Sequence, residues 1–132
     1  MTLPLYLIDT HALFWREFTP AKLPASVRHL FDEADAGRAV LILHPIVMAE
    51  FYYVLCKEGY EKDAPTYLQY VKNASGYSLE PLTWDDVLAL PNYAEIPEMH
   101  DRLIAIAAKR LGATLVTKDA SLQASPQVKW LW

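Results

Sequence analysis

Four carboxylates of this sequence, Asp9, Glu50, Asp101 and Asp119, each stand at the end of an apolar run or interrupt one. Asp9 directly follows Leu3–Ile8, and Asp119 comes two residues past Ala113–Thr117. Asp101 falls in the first turn of a helix-patterned segment, and Glu50 sits among Ile46, Val47, Val54 and Leu55. Carboxylates brought together repel and raise one another's pKa unless a cation neutralises them. Oxygen-only ligands suit the hard ions Mg²⁺ or Mn²⁺, and no Cys/His pattern with zinc spacing competes. A carboxylate-held Mg²⁺ serves phosphate chemistry, by activating water and neutralising charge on phosphoryl oxygens. Taken singly, each acid has a plainer reading: a helix cap for Asp9, a dipole partner for Asp101, a turn former for Asp119. Glu50 resists such a reading, because its helix is otherwise apolar around it.

A common edge would gather all four, and the hydropathy pattern supplies one. Leu3–Ile8, Ala39–Leu43 and Ala113–Thr117 are near-continuous apolar runs of strand length, as in strands buried on both faces of a parallel sheet. Tyr77–Glu80 and Val128–Leu131 are shorter candidates, giving four to five strands in all. Helical patterns lie between them. One begins near His11 after a cap at Asp9 or Thr10, and one is capped by Ser26 and ended at Gly37. Another is opened by Pro45 and runs from Ile46 to about Glu58, before Gly59. Others cover Asp63–Lys72, a short stretch between Thr83 and Pro91, and Glu98–Leu111, which Gly112 closes. Strands alternating with helices predict an α/β fold, a central parallel sheet flanked by helices. No repeat, linker or composition break divides the chain, so residues 1–132 are read as a single domain. In open parallel sheets ligands bind beyond the carboxyl ends of the strands, and there the four acids fall.

At these residues the chain resembles a known family. Leu7-Ile-Asp-Thr-His-Ala-Leu-Phe-Trp15, Met48-Ala-Glu-Phe51, Asp101-Arg-Leu-Ile-Ala-Ile-Ala-Ala108 and Leu115-Val-Thr-Lys-Asp119 resemble, in that order, the motifs of PIN domains. The resemblance is closest to VapC-type toxins of bacterial toxin–antitoxin (VapBC) pairs. It implies a PIN-like three-layer fold and a Mg²⁺- or Mn²⁺-dependent endoribonuclease. Asp9, Glu50 and Asp101 then match the core metal-binding acids, Asp119 the less uniform fourth, and Thr117 the hydroxyl beside them. In-line attack by a metal-activated water would leave a 5′-phosphate and a 3′-hydroxyl. The resemblance also implies a VapB-like antitoxin, a homodimer, and a structured RNA substrate such as tRNA. Close relatives read D-P-x-D-R before the late helix, whereas this chain reads Glu98-Met-His-Asp-Arg102. Glu98 is therefore placed, with Thr10, Thr117 and Arg102, among residues that support the acids rather than hold the ion.

Composition bounds the rest. At 53% hydrophobic the chain is not disordered, and with only four glycines it has no Gly-rich phosphate cradle. Twelve Lys+Arg against 16 Asp+Glu exclude a basic, sequence-indifferent nucleic-acid coat. Without the four candidate acids the charges would balance. Cys56 has no internal partner and reads as a small buried hydrophobe in a reduced compartment. The first apolar run lacks a preceding basic region and ends at Asp9, which argues against a leader or a membrane span and for a cytoplasmic protein. His11 and His100 flank two acids and are read as structural, since metal-bound water needs no separate base. The tryptophans, Tyr52 and Tyr53 are assigned to core or dimer packing ahead of base stacking. For Arg16, Arg102 and Lys118, near the motifs, phosphate contact and a solvated charge both stay open. The rivals are a catalytically silent PIN-like module that binds RNA or protein, and a phosphatase with Asp9 as nucleophile. The phosphatase wants an acid where His11 stands. A receiver-type acidic domain leaves Glu50 unexplained.

Overall fold

The computed structural model describes residues 2–132. Its sheet is built from the predicted apolar runs: β1 (Leu5–Ile8), β2 (Val40–Leu43), β3 (Ser78–Leu79), β4 (Thr114–Val116) and β5 (Trp130–Leu131). All four pairings are parallel, in the order β3-β2-β1-β4-β5. Leu7 pairs with Ile42 on one side and Leu115 on the other, and all three are buried. Parallel strands need crossovers. Those described are α1 (Thr10–Phe18), α2 (Ala25–Asp35), α3 (Pro45–Lys57), α4 (Ala64–Asn73), α5 (Trp84–Leu88), α6 (Met99–Leu111) and α7 (Ala120–Ala124). The expected α/β architecture is present with five strands.

α6 packs against β1 and β4, α3 against α6, α4 and α1. Leu103–Ala108 of α6 are buried without a break, so this helix is the central one. α1 is pinned to α3 and α4 by an aromatic cluster. Phe18 lies 4.8 Å from Phe14, 4.9 Å from Tyr60 and 5.1 Å from Tyr67, over the buried Phe51. At the far end of α6, Arg110 forks onto the buried Asp86 of α5 at 2.7 and 3.0 Å and reaches Glu80 at 2.9 Å. These two ion pairs anchor α5 and the residue after β3 to the central helix.

The structure differs from the sequence reading at several ends. Ser26 does not cap α2; Pro24 takes that position with no side-chain hydrogen bond, its fixed φ suiting the helix start. Pro91 does not stop the chain's turning but sits at the start of a 3₁₀ turn over Leu90–Tyr93. The five-residue α7 carries too little periodicity to be read. His44 caps α3 through its Nδ1, which accepts from Ile46 N at 3.1 Å. Cys56 is only partly buried, and Trp84 and Tyr53 are exposed rather than packed. Among the described residues no helix is long and apolar enough to cross a membrane.

Candidate functional site

Strand order reverses direction at β1 and β4, so the crevice beyond their carboxyl ends is the place for a ligand. Asp9 leaves β1 there and caps α1, its Oδ1 accepting from Thr10 N at 2.7 Å. Thr117 leaves β4 there; its hydroxyl donates to Asp9 Oδ2 at 2.7 Å and accepts from Asp119 N at 3.0 Å. One buried hydroxyl thus ties the two strand ends together. Asp119 caps α7, its Oδ1 accepting from Ser121 N, Ser121 Oγ and Leu122 N at 2.8, 2.6 and 3.2 Å. Thr10 Oγ1 reaches across to α3 and donates to Glu50 Oε1 at 3.0 Å.

Asp101 enters from α6. Glu98 caps that helix, accepting Asp101 N on Oε2 at 2.9 Å, while its Oε1 lies 3.0 Å from His100 Nδ1. Both oxygens of Glu98 are therefore engaged, Oε2 as the cap of α6 and Oε1 beside His100. Arg102 Nε donates to Ile96 O and so holds the loop before α6 rather than the crevice. Arg16 pairs with Asp35 between the rings of Phe31 and Tyr77.

The acids feel one another. Burial, and then the charges of Asp119, Asp9, Glu98 and Glu50, push the Asp101 carboxyl up to about 7. Burial also raises Glu50 and Asp9, outweighing the hydrogen bonds from Thr10 and Thr117 that pull them down. Burial acts on Asp119 too, but its bonds from Ser121 and Leu122 win, and it stays below the ordinary carboxylate range. His11 is lowered by burial and by Lys118, which leaves it unprotonated at neutral pH. The four predicted acids are thus within electrostatic reach at one crevice, with Thr10 and Thr117 wired to two of them. As they are placed, no three His, Cys, Asp or Glu side chains among the described residues are gathered closely enough to hold an ion. The donor set nonetheless fits a hard divalent cation: it is oxygen-only, it carries surplus charge, and among the described residues no hydrogen bond reaches Asp101 Oδ1 or Oδ2, Glu50 Oε2 or Asp119 Oδ2.

Two elements of this wiring escaped the sequence reading. The Thr10–Glu50 bond joins residues 40 apart and leaves no local trace. The Asp119 cap has one: Asp119-Ala-Ser121 is an Asx-type start, hidden by the shortness of its helix.

Comparison with known proteins adds the following. The family model described as PIN domain matches residues 6–126. No curated protein matches the chain in sequence. Among solved structures, VapBC2 from Rickettsia felis bound to a promoter DNA fragment is similar at TM-score 0.72 and 20% identity, over 96% of this chain and 97% of that one. DNA-bound VapBC from Salmonella typhimurium is similar at 0.69 and 17%, over 98% of both chains. Mycobacterium tuberculosis VapC20, a sarcin–ricin loop cleaving toxin, is similar at 0.61 and 16%, over 94% and 98%. At these identities the likeness is one of fold.

Proposed function

The chain belongs to the PIN-domain family, and on that premise we propose that it is the nuclease toxin of a toxin–antitoxin pair, hydrolysing RNA phosphodiesters at the Asp9–Glu50–Asp101–Asp119 cluster. The observation that carries this is the convergence of four acids from separate elements on one crevice, where their charges add to burial in pushing Asp101 up to about 7. Such crowding has a purpose if a cation is to be bound and a plain cost otherwise. The four acids would hold Mg²⁺ or Mn²⁺. When bound, the ion supplies a water of lowered pKa and neutralises charge on the phosphoryl oxygens. Thr117 fixes the Asp9 carboxylate and Thr10 the Glu50 carboxylate, so that their remaining lone pairs face a set position. Asp101, whose carboxylate oxygens accept no hydrogen bond among the described residues, would hold the ion in its ionised form. Glu98 keeps α6 capped and so holds Asp101 in place.

The resemblance to VapBC complexes supports a VapB-like antitoxin as the partner. A homodimer, a cytoplasmic location and an RNA target such as tRNA complete the reading, with residues 1–132 acting as one unit. Purified chain is expected to cleave RNA with Mg²⁺ or Mn²⁺, to stop in chelator, and to lose cleavage as Asp9→Asn. A protein that binds RNA with Mn²⁺ present and never cuts it is instead the silent module, and the proposal fails.

A further inference from the structure

Beside the acid cluster, α1 and α3 enclose a cleft of about 270 Å³ whose lining includes Thr10, Trp15, Lys22, Val54, Lys57 and Glu58. Thr10, whose hydroxyl donates to Glu50, is part of that lining. Val54 and Lys57 lie one and two turns beyond Glu50 on the same stripe of α3, so its wall is continuous with the acids. Lys22 Nζ lies 5.7 Å and Lys118 Nζ 4.8 Å from the centroid of the Trp15 ring. Among the described residues none of Lys22, Lys57 and Lys118 forms a salt bridge, whereas Arg16, Arg38 and Arg110 all do.

A ring face attracts an ammonium without cancelling its charge. Trp15 therefore gathers two lysines yet leaves both able to meet an anion. In a chain of net charge −4 this is a local reversal of sign, adjoining the most acidic site in the fold. Glu58 is an acid in the same lining, which makes the lysine excess modest rather than indiscriminate.

We infer that this cleft is a backbone track for single-stranded RNA, in which Lys22 and Lys57 of the lining, and Lys118 held beside it on the Trp15 ring, meet the phosphates flanking the scissile one. The inference rests on the nuclease reading and deepens it. A basic groove with an aromatic platform is how single strands are held. An acidic protein segment would also meet the lysines, but its carboxylates have no use for the acid cluster at the head of the track. A phosphodiester uses both.

The test measures binding apart from cutting. Full-length Asp101→Asn protein is titrated into a labelled single-stranded RNA oligonucleotide, by anisotropy, across a salt series. Each phosphate contact on a single strand contributes about 0.7 to the slope of log K against log salt, or roughly fivefold in affinity at 0.1 M salt. Lys22→Ala, Lys57→Ala and Lys118→Ala are each expected to lose about that much, and the triple variant about 2 in slope. Trp15→Ala should weaken binding by more than one lysine, with Trp15→Phe restoring most of it. Lys109→Ala, about 12 Å along α6 from Asp101, should bind as the parent does. A triple variant with the parent's affinity and slope overturns the track. So does loss of antitoxin capture with RNA binding intact, which would assign the lysines to a protein. The two readings separate cleanly: if native protein cuts RNA and the lysine variants bind and cut equally well, only the track fails. If RNA is held through the lysines but never cut with Mn²⁺, the nuclease reading fails and the track stands.

Discussion

Replacing Asp101 by Asn should stabilise the metal-free protein while abolishing its function. In the folded chain Asp101 is protonated up to about 7, against 3.8 for a free aspartate. Folding therefore holds a proton that the unfolded chain releases, and between those two pH values stability falls as pH rises. The contribution is fully favourable below 3.8 and is lost as pH passes through about 7. At about 1.4 kcal/mol for each pH unit between the two values, the ceiling is roughly 4 kcal/mol at pH 8. Asp101 is only half-buried, so solvent screening reduces this to about 1–2 kcal/mol. Asn carries no charge and escapes the penalty. In chelator at pH 8, Asp101→Asn is expected to melt several degrees above the parent, about 3–8 °C for a chain of this size. At pH 4 the two should melt together, because Asp101 is already neutral in the folded parent. Adding Mn²⁺ should raise the parent and leave the variant unmoved. Thermal melts followed by circular dichroism at the two pH values decide the matter. A variant that is less stable than the parent at pH 8, or that gains equally at both pH values, would refute the reasoning.

Other outcomes follow from the same wiring. Asp9→Asn should reduce metal-dependent RNA cleavage by at least about 100-fold in a gel assay, since it removes charge from the carboxylate nearest both strands. Thr117→Val leaves Asp9 Oδ2 and Asp119 N without their shared partner and should cost about 1–3 kcal/mol by denaturant titration; calorimetry should also show Mn²⁺ affinity down about 10–100-fold. Mn²⁺ at 100 times its Kd should add about 2.7 kcal/mol to the parent's unfolding free energy, and chelator should remove it. Arg110→Ala strands the buried Asp86 and should cost about 2–3 kcal/mol at pH 7, below the fully buried range because the Arg110 side chain is 31% exposed. Burial pushes Asp86 up, but its bonds from Arg110 and Thr83 hold it below the ordinary value. The stabilisation is thus present above pH 3.8 and lost as pH falls below it, so the gap between parent and variant should close in acid.

The acids were legible because each marks a break in an apolar run, and such breaks survive in a linear string. Asp9 after Leu7-Ile8 and Asp119 after Leu115–Thr117 both signal a strand end, and the parallel topology then gathers them. What holds them was not legible. Thr10 has the look of an ordinary cap, and only the packing of α1 on α3 turns its hydroxyl toward Glu50. Ser26 is a favourable capping residue by type, yet Pro24 sets the backbone two residues earlier and leaves it inside the helix. Trp84 lies inside a capping box formed by Thr83 and Asp86, a local device that starts α5 whether or not the tryptophan has anything to pack against. Lys22, Lys57 and Lys118 are scattered in sequence; the cleft brings Lys22 to Lys57 and the Trp15 ring brings Lys22 to Lys118.

The hydrogen bond from Thr117 to Asp9 spans 108 residues. Its partner strands, β1 and β4, are neighbours in the sheet though β2, β3 and α1–α6 lie between them in sequence. A nascent chain emerging from a ribosome carries Asp9 and Glu50 before it carries Asp101 and Asp119, and it has no β4 to fix the first carboxylate until Val116 has been added. The cluster is incomplete until Asp119 is made, and a product terminated before that residue lacks it. For a protein read as an enemy of its own cell's RNA, the order in which the chain is made is itself a safeguard: the four acids cannot act together before the whole stretch from Asp9 to Asp119 exists.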